Sequence, residues 1–135
     1  MQVNGFHHAA IEARDVEKVA TFFREVLGLP EVVRHHRPDG TLRSIWLAAS
    51  THAEAGSPFI AVEASTHGMH AGAGWFMVAL GISAAERPRI HQTLLARGVT
   101  IEKETRWTIF VRDPEGNLVG LSHYPQDPVS SFPSP

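Results

Sequence analysis

The segment His8-Ala9-Ala10-Ile11-Glu12-Ala13-Arg14-Asp15 decides how the rest of the chain is read. Its first six residues alternate as a half-buried strand does. Asp15 then stands where a helix N-cap belongs. Val16, Val19, Ala20, Phe23, Val26 and Leu27 follow at helical spacing until Gly28 closes the helix. Further on, residues 32–36 read as a second strand, and Pro38-Asp39-Gly40-Thr41 is a hairpin turn leading into a third over residues 42–49. A loop with Gly56 and Pro58 precedes a fourth strand over residues 59–63. The order is strand, helix, three strands.

That order then restarts. Residues 65–74, rich in Gly and small side chains, read as a linker. Residues 76–82 alternate, and Ser83 with Glu86 forms a capping box. Ile90, Leu94 and Leu95 give a helix face, Pro88 falls in the first turns where proline is tolerated, and Gly98 ends the helix. Strands follow over 99–103 and 107–112, then the tight turn Asp113-Pro114-Glu115-Gly116-Asn117, then a last strand over 118–124. The expectation is an α+β fold of two tandem βαβββ modules within a single domain, residues 1–135. Module one spans about 5–64 and module two 75–124, with a loose tail over 125–135.

Composition narrows the function. The formal net charge is −2 and no Lys/Arg cluster stands out, which argues against nucleic acid or an anionic membrane as partner. No apolar run approaches the roughly 20 residues of a membrane-spanning helix. The opening residues Met1-Gln2-Val3-Asn4 lack the pattern of a signal peptide, so a cytoplasmic location is expected. With no Cys, thiolate metal sites and Cys nucleophiles are ruled out.

Three stretches in this order resemble the vicinal oxygen chelate superfamily, which contains glyoxalases, bleomycin-resistance proteins and ring-cleaving (extradiol) dioxygenases. They are residues 8–15 quoted above, Phe22-Phe23-Arg24-Glu25-Val26-Leu27-Gly28-Leu29, and Asp113-Pro114-Glu115-Gly116-Asn117-Leu118-Val119. The likeness runs over about residues 5–124. It implies a glyoxalase-like curled mixed β-sheet groove with the helices outside. Alternation then sorts the side chains. Ala9, Ile11 and Ala13 should meet the helix, leaving His8, Ala10 and Glu12 in the groove. Phe59, Ala61 and Glu63 face inward from the fourth strand, Met77, Ala79 and Gly81 from the fifth. Leu118, Gly120, Ser122 and Tyr124 do so from the last.

Metal-using relatives draw His and Glu ligands from the first and last strands of each module. Here His8 fits, but Met77 and Gly120 stand at two further ligand positions, and thioether sulfur suits hard divalent ions poorly. No cofactor is therefore expected. A divalent metal held by His8 and Glu63 is the lesser alternative, two protein ligands being fewer than the three of a usual catalytic zinc. Of the other histidines, at most one of His35 and His36 can point inward, and His67 and His70 lie in the linker.

Three function classes stay open. The first is a metal-free groove that binds or sequesters a small planar aromatic or cationic metabolite or drug, as bleomycin-resistance proteins do. Its candidate contacts are Arg43, Trp46, Phe59, Ala61, Met77, Trp107, Gly120, Ser122 and Tyr124, because flat rings beside small residues make slots for planar ligands. The second is a metal-independent isomerase, cyclase or lyase with His8, Glu12 or Glu63 as its catalytic base. The third is a metal-dependent lyase, isomerase or dioxygenase. A symmetric homodimer is the expected assembly. Because Met77 and Gly120 replace ligands, elemental analysis of dialysed protein should find far less than one divalent ion per chain. A stoichiometric ion would favour the third class.

Overall fold

The computed structural model describes residues 2, 6–54, 56–65 and 77–127. Their contacts divide the chain into two units, Met1–Ala71 and Gly72–Pro135, and each carries one strand–helix–three-strand module. The expected linker beyond Ser65, with His67 and His70, lies outside the described residues.

Module one comprises β1 (His8–Ala13), α1 (Val16–Thr21), β2 (Glu31–His36), β3 (Leu42–Ala48) and β4 (Phe59–Ala64). Asp15 caps α1 as its position demands: its backbone is extended and its carboxylate accepts the Lys18 N–H at 3.0 Å. After Thr21 the helix widens into a π-helical turn over Phe22–Val26, where the Leu27 N–H reaches the Phe22 carbonyl at 3.3 Å. Gly28, at φ +74°, then lets the Leu29 N–H turn back onto the Phe23 carbonyl.

The strand order is β1-β4-β3-β2, with β1 and β4 parallel and the other pairs antiparallel. Helix α1 lies over β3 and β4. Val16, Val19, Ala20 and Phe23 are buried there with Ile11, Ala13, Ile45, Leu47, Ile60 and Val62. Each larger aliphatic contributes about 1.5–3 kcal/mol by leaving water. A surface network ties the helical segment to β2: Arg34 bridges Glu17 and Glu31, and Arg24 also reaches Glu31 at 2.9 Å. Exposed pairs of this kind are worth only about 0.2–1 kcal/mol each, so apolar burial dominates.

Module two repeats the pattern with β5 (Met77–Gly81), α2 (Arg87–Ala96), β6 (Ile101–Glu104), β7 (Thr108–Arg112) and β8 (Leu118–Ser122), in the order β5-β8-β7-β6. Ser83 accepts the Glu86 N–H at 3.2 Å, but the segment opens as a 3₁₀ turn, Ala84–Glu86, before Pro88 enters the first turn of α2. Ile109, Val111, Val119, Leu121 and Leu94 are buried. So is Arg87, which donates to the carbonyls of Arg106 and Thr105, both at 2.8 Å. Its guanidinium also lies 2.9 Å from His123 Nε2, while His123 Nδ1 lies 2.8 Å from the Gln126 carbonyl. Guanidinium has no lone pair to give, so the buried His123 accepts at Nε2 and donates from Nδ1. Burial pushes the Arg87 guanidinium down, and the Glu104 carboxylate opposes that. In the last turn, buried Asp113 accepts the N–H groups of Glu115 and Asn117, both at 2.9 Å.

Among the boundaries that differ from the sequence reading, two bear on expected contacts. β7 starts at Thr108 rather than Trp107, and β8 ends at Ser122, which leaves Tyr124 in a turn, 71% exposed. The room expected at Gly120 is also already filled. A Cβ there would meet Thr108 Cγ2 at 3.3 Å, Ala79 Cβ at 3.6 Å and Phe110 Cε1 at 3.7 Å.

Gly120→Phe should therefore lower stability by about 1–3 kcal/mol through overpacking, measured by urea melts. An unchanged midpoint would show that Phe110 swings aside freely. The Arg34 and Arg24 guanidiniums hold the Glu31 carboxyl below its usual 4.5, Arg34 acting mainly through its hydrogen bond. A depressed carboxylate stabilises the fold above its unfolded pKa and loses that contribution as pH falls through the folded value. Glu31→Gln should cost roughly 0.5–1 kcal/mol at neutral pH, with the deficit closing as pH drops below about 4.5 and in molar salt.

Candidate functional site

On the face of the first sheet turned away from α1, the register writes out two rows. Glu12 of β1 pairs with Glu63 of β4, Glu63 with Ser44 of β3, and Ser44 with His35 of β2. One polar row thus crosses all four strands. Beside it lies the row Ala10–Ala61–Trp46–Val33. Small residues in that second row leave the aromatic rings in mutual contact. His8 stacks on Phe59 (centroids 4.8 Å apart, planes at 4°), Phe59 on Trp46 (4.5 Å, 19°), and His35 meets Trp46 edge-on at 4.7 Å. Aromatic pairs of this kind contribute about 0.5–1.5 kcal/mol beyond area burial.

The polar row is incompletely paired. Ser44 is fully buried, and its Oγ has no hydrogen-bond partner among the described residues. The same holds for the buried Glu12 Oε2, His35 Nε2 and Trp46 Nε1. A buried polar atom left unmatched costs about 1–3 kcal/mol, so four on one face need a reason. Glu12 and Glu63 add to it: like charges directly opposite across a strand pair repel. A positive charge near the two carboxylates relieves that repulsion.

The structure brings Glu12, Glu63, Trp46, Phe59 and Ala61 onto this face, with His8 at its rim, where His8 Nδ1 lies 2.8 Å from His7 Nδ1. Arg43 alternates to the opposite face with Ile45 and Leu47. Met77, Gly120 and Ser122 share the corresponding face of module two; there Thr108 Oγ1 donates to Ser122 Oγ at 3.0 Å. Trp107 packs edge-on against His123 and Tyr124, with the Arg106 guanidinium over its ring, and so belongs to the packing around Arg87. The sequence lets at most one of His35 and His36 point inward, and register selects His35, while Ser44 carries no role in that reading. One side of β3 carries Arg43 with Ile45 and Leu47 and the other Ser44 with Trp46 and Ala48, so alternation alone does not say which side meets the helix. Register with Glu63 decides it.

A metal at His8 and Glu63 does not fit this geometry. His8 pairs with Phe59, so Glu63 lies four residues along β4, about 13 Å away at strand rise. Coordination needs both donors within about 2.0–2.2 Å of one ion. Among the described residues, no group of three His, Asp or Glu side chains gathers as a ligand set.

Comparison with known proteins places this geometry in a family. The family model for the glyoxalase/bleomycin resistance protein/dioxygenase superfamily matches residues 5–121. No curated protein matches significantly. Among solved structures, a glyoxalase/dioxygenase from Nostoc punctiforme is similar with TM-score 0.70 at 14% identity, over 91% of this chain and 92% of that one. A lactoylglutathione lyase from Agrobacterium tumefaciens gives 0.68 at 17%, covering 92% and 96%. A fosfomycin resistance protein from Listeria monocytogenes, complexed with manganese(II) and sulfate, gives 0.65 at 18%, covering 90% and 93%. At such identities these structures speak for the fold. With the family model spanning both modules, the chain belongs to the glyoxalase/bleomycin resistance protein/dioxygenase superfamily.

Proposed function

We propose that this chain binds a small planar aromatic or cationic molecule on the inner face of module one and holds it without a metal. The observation that carries this reading is the stacked Phe59–Trp46 pair next to the Glu12–Glu63 carboxylates. Flat faces favour planar rings, and the carboxylates favour positive charge. The small Ala61, paired with Trp46, keeps that surface low. Assembly as a symmetric homodimer belongs to the same reading.

A second reading is favoured by the two carboxylates side by side on that face, since a carboxylate within hydrogen-bond reach of a substrate proton acts as a general base. The protein is then a metal-independent isomerase, cyclase or lyase. A metal held by His8 and Glu63 plays no part in either reading, because those two donors do not converge. Recovering the bound compound chemically unchanged after long incubation separates sequestration from catalysis.

Calorimetry with 1-methylquinolinium tests the binding reading. The wild-type chain should bind it, and Trp46→Ala should weaken binding about tenfold, the scale of one stacking and cation–π contact. Trp107→Phe, in module two and packed against His123 and Tyr124, should leave the affinity alone. No heat at millimolar probe, or equal loss in both variants, would remove the reading.

A further inference from the structure

We infer that His123 is an acid-sensitive latch: it holds the C-terminal turn, residues 123–127, onto the start of the second helical segment, and its protonation lets that turn go. Both nitrogens of one imidazole make the latch. Nε2 accepts from the buried Arg87 guanidinium at 2.9 Å, and Nδ1 donates to the Gln126 carbonyl at 2.8 Å. His123 is itself buried, and its backbone N–H reaches the Trp107 carbonyl at 3.0 Å. The Gln126 N–H closes the turn on the His123 carbonyl at 2.8 Å, and the Gln126 side-chain oxygen accepts the Ala84 N–H at 3.1 Å. Ala84 opens the 3₁₀ turn ahead of α2, where a helical segment cannot satisfy its own N–H groups. Gln126 supplies the acceptor from 42 residues along the chain.

The chemistry permits this contact in one protonation state only. A neutral imidazole has one lone pair to give, and an imidazolium has none. A proton on Nε2 removes the acceptor facing Arg87 and sets a second positive charge against a guanidinium that keeps its own. The surrounding groups do not offset that charge. Glu104 of β6 lies 3.9 Å from Arg87 and also faces His91 of α2 at 3.3 Å. Arg106, over the Trp107 ring, is a further cation, paired with the exposed Asp127 at 2.8 Å, and Tyr124 is exposed. Two like charges side by side repel far more strongly when buried than in water. The imidazolium therefore moves out to water. Gln126, bonded to both its Nδ1 and its backbone carbonyl, moves with it, and the Ala84 N–H loses its acceptor.

Amide hydrogen exchange on the full chain, corrected for the intrinsic effect of pH, tests this between about pH 8 and about pH 5, which brackets the ordinary imidazole range. Protection at Ala84 and Gln126 should fall at least about tenfold, the scale of one hydrogen bond to a charged group, while Ile109 and Val111 of the inner strand β7 keep theirs. Ring nitrogen shifts of His123 should report its protonation over the same pH interval. His123→Gln, whose amide accepts and donates but does not titrate, should keep the turn protected throughout. His91→Gln should retain the acid response, and Gln126→Ala should expose the Ala84 amide at every pH. Protection that does not change with pH overturns the inference, as does loss at Ile109 and Val111 together with Ala84, which is unfolding of the whole unit. A response abolished by His91→Gln, or one that persists in folded His123→Gln, assigns the sensor elsewhere and overturns it too. If His123→Gln does not fold, the wild-type shifts decide: protonation of His123 without loss of protection at Ala84 and Gln126 ends the proposal.

Discussion

The parallel ladder between the first and last strand of each module fixes everything that follows. It sets His8 beside Phe59 and Glu12 beside Glu63 in module one, and Met77 beside Leu118 and Ala79 beside Gly120 in module two. Parallel neighbours require a crossover, and α1 and α2 provide it, so helix and inner face are assigned opposite sides at once. A slip of one residue in β1 would bury Glu12 against α1 and expose Ile11. The apolar face thereby enforces the polar one.

Duplication then gives two versions of the same frame with different chemistry. In module two the inner face is filled with Phe110, Ala79 and a hydroxyl pair, and the glycine at 120 is where Phe110 comes close. In module one the same positions carry rings in a row and carboxylates side by side. The two repeats thus close their inner-face polar atoms to different degrees. A buried hydroxyl without a partner subtracts from the fold, and such a residue points to a use outside folding.

The fold was legible because each motif obeys a local rule: Asp15 caps, Gly28 turns left-handed, and Asp113 gathers the N–H groups of its own turn. The facing of β1 and β8 was legible too, since Ile11, Ala13, Val119 and Leu121 alternate with smaller or polar partners. β3 was not. Ser44, Trp46 and Ala48 alternate with Ile45 and Leu47, and nothing in that pattern says which set meets the helix; pairing with β4 decides it. The filling of the space at Gly120 depends on Thr108, Ala79 and Phe110, which come from the two neighbouring strands. Arg87 was invisible for a different reason. A charged residue in a first helical turn reads as solvated, yet here two loop carbonyls and the neutral imidazole of His123 replace its water.

The outer strands β2 and β6 are both irregular. β2 shifts register between Glu31 and Val33 and again between His35 and His36, and β6 shifts between Ile101 and Lys103. Apart from Val32, their exposed positions carry charge or imidazole: Glu31, Arg34 and His36 on one, Glu102, Lys103 and Glu104 on the other. A bulged, charged edge cannot offer the regular run of amide and carbonyl groups that an incoming strand needs. Each sheet is therefore sealed against growth on that side, and strand-by-strand addition of further copies is blocked there.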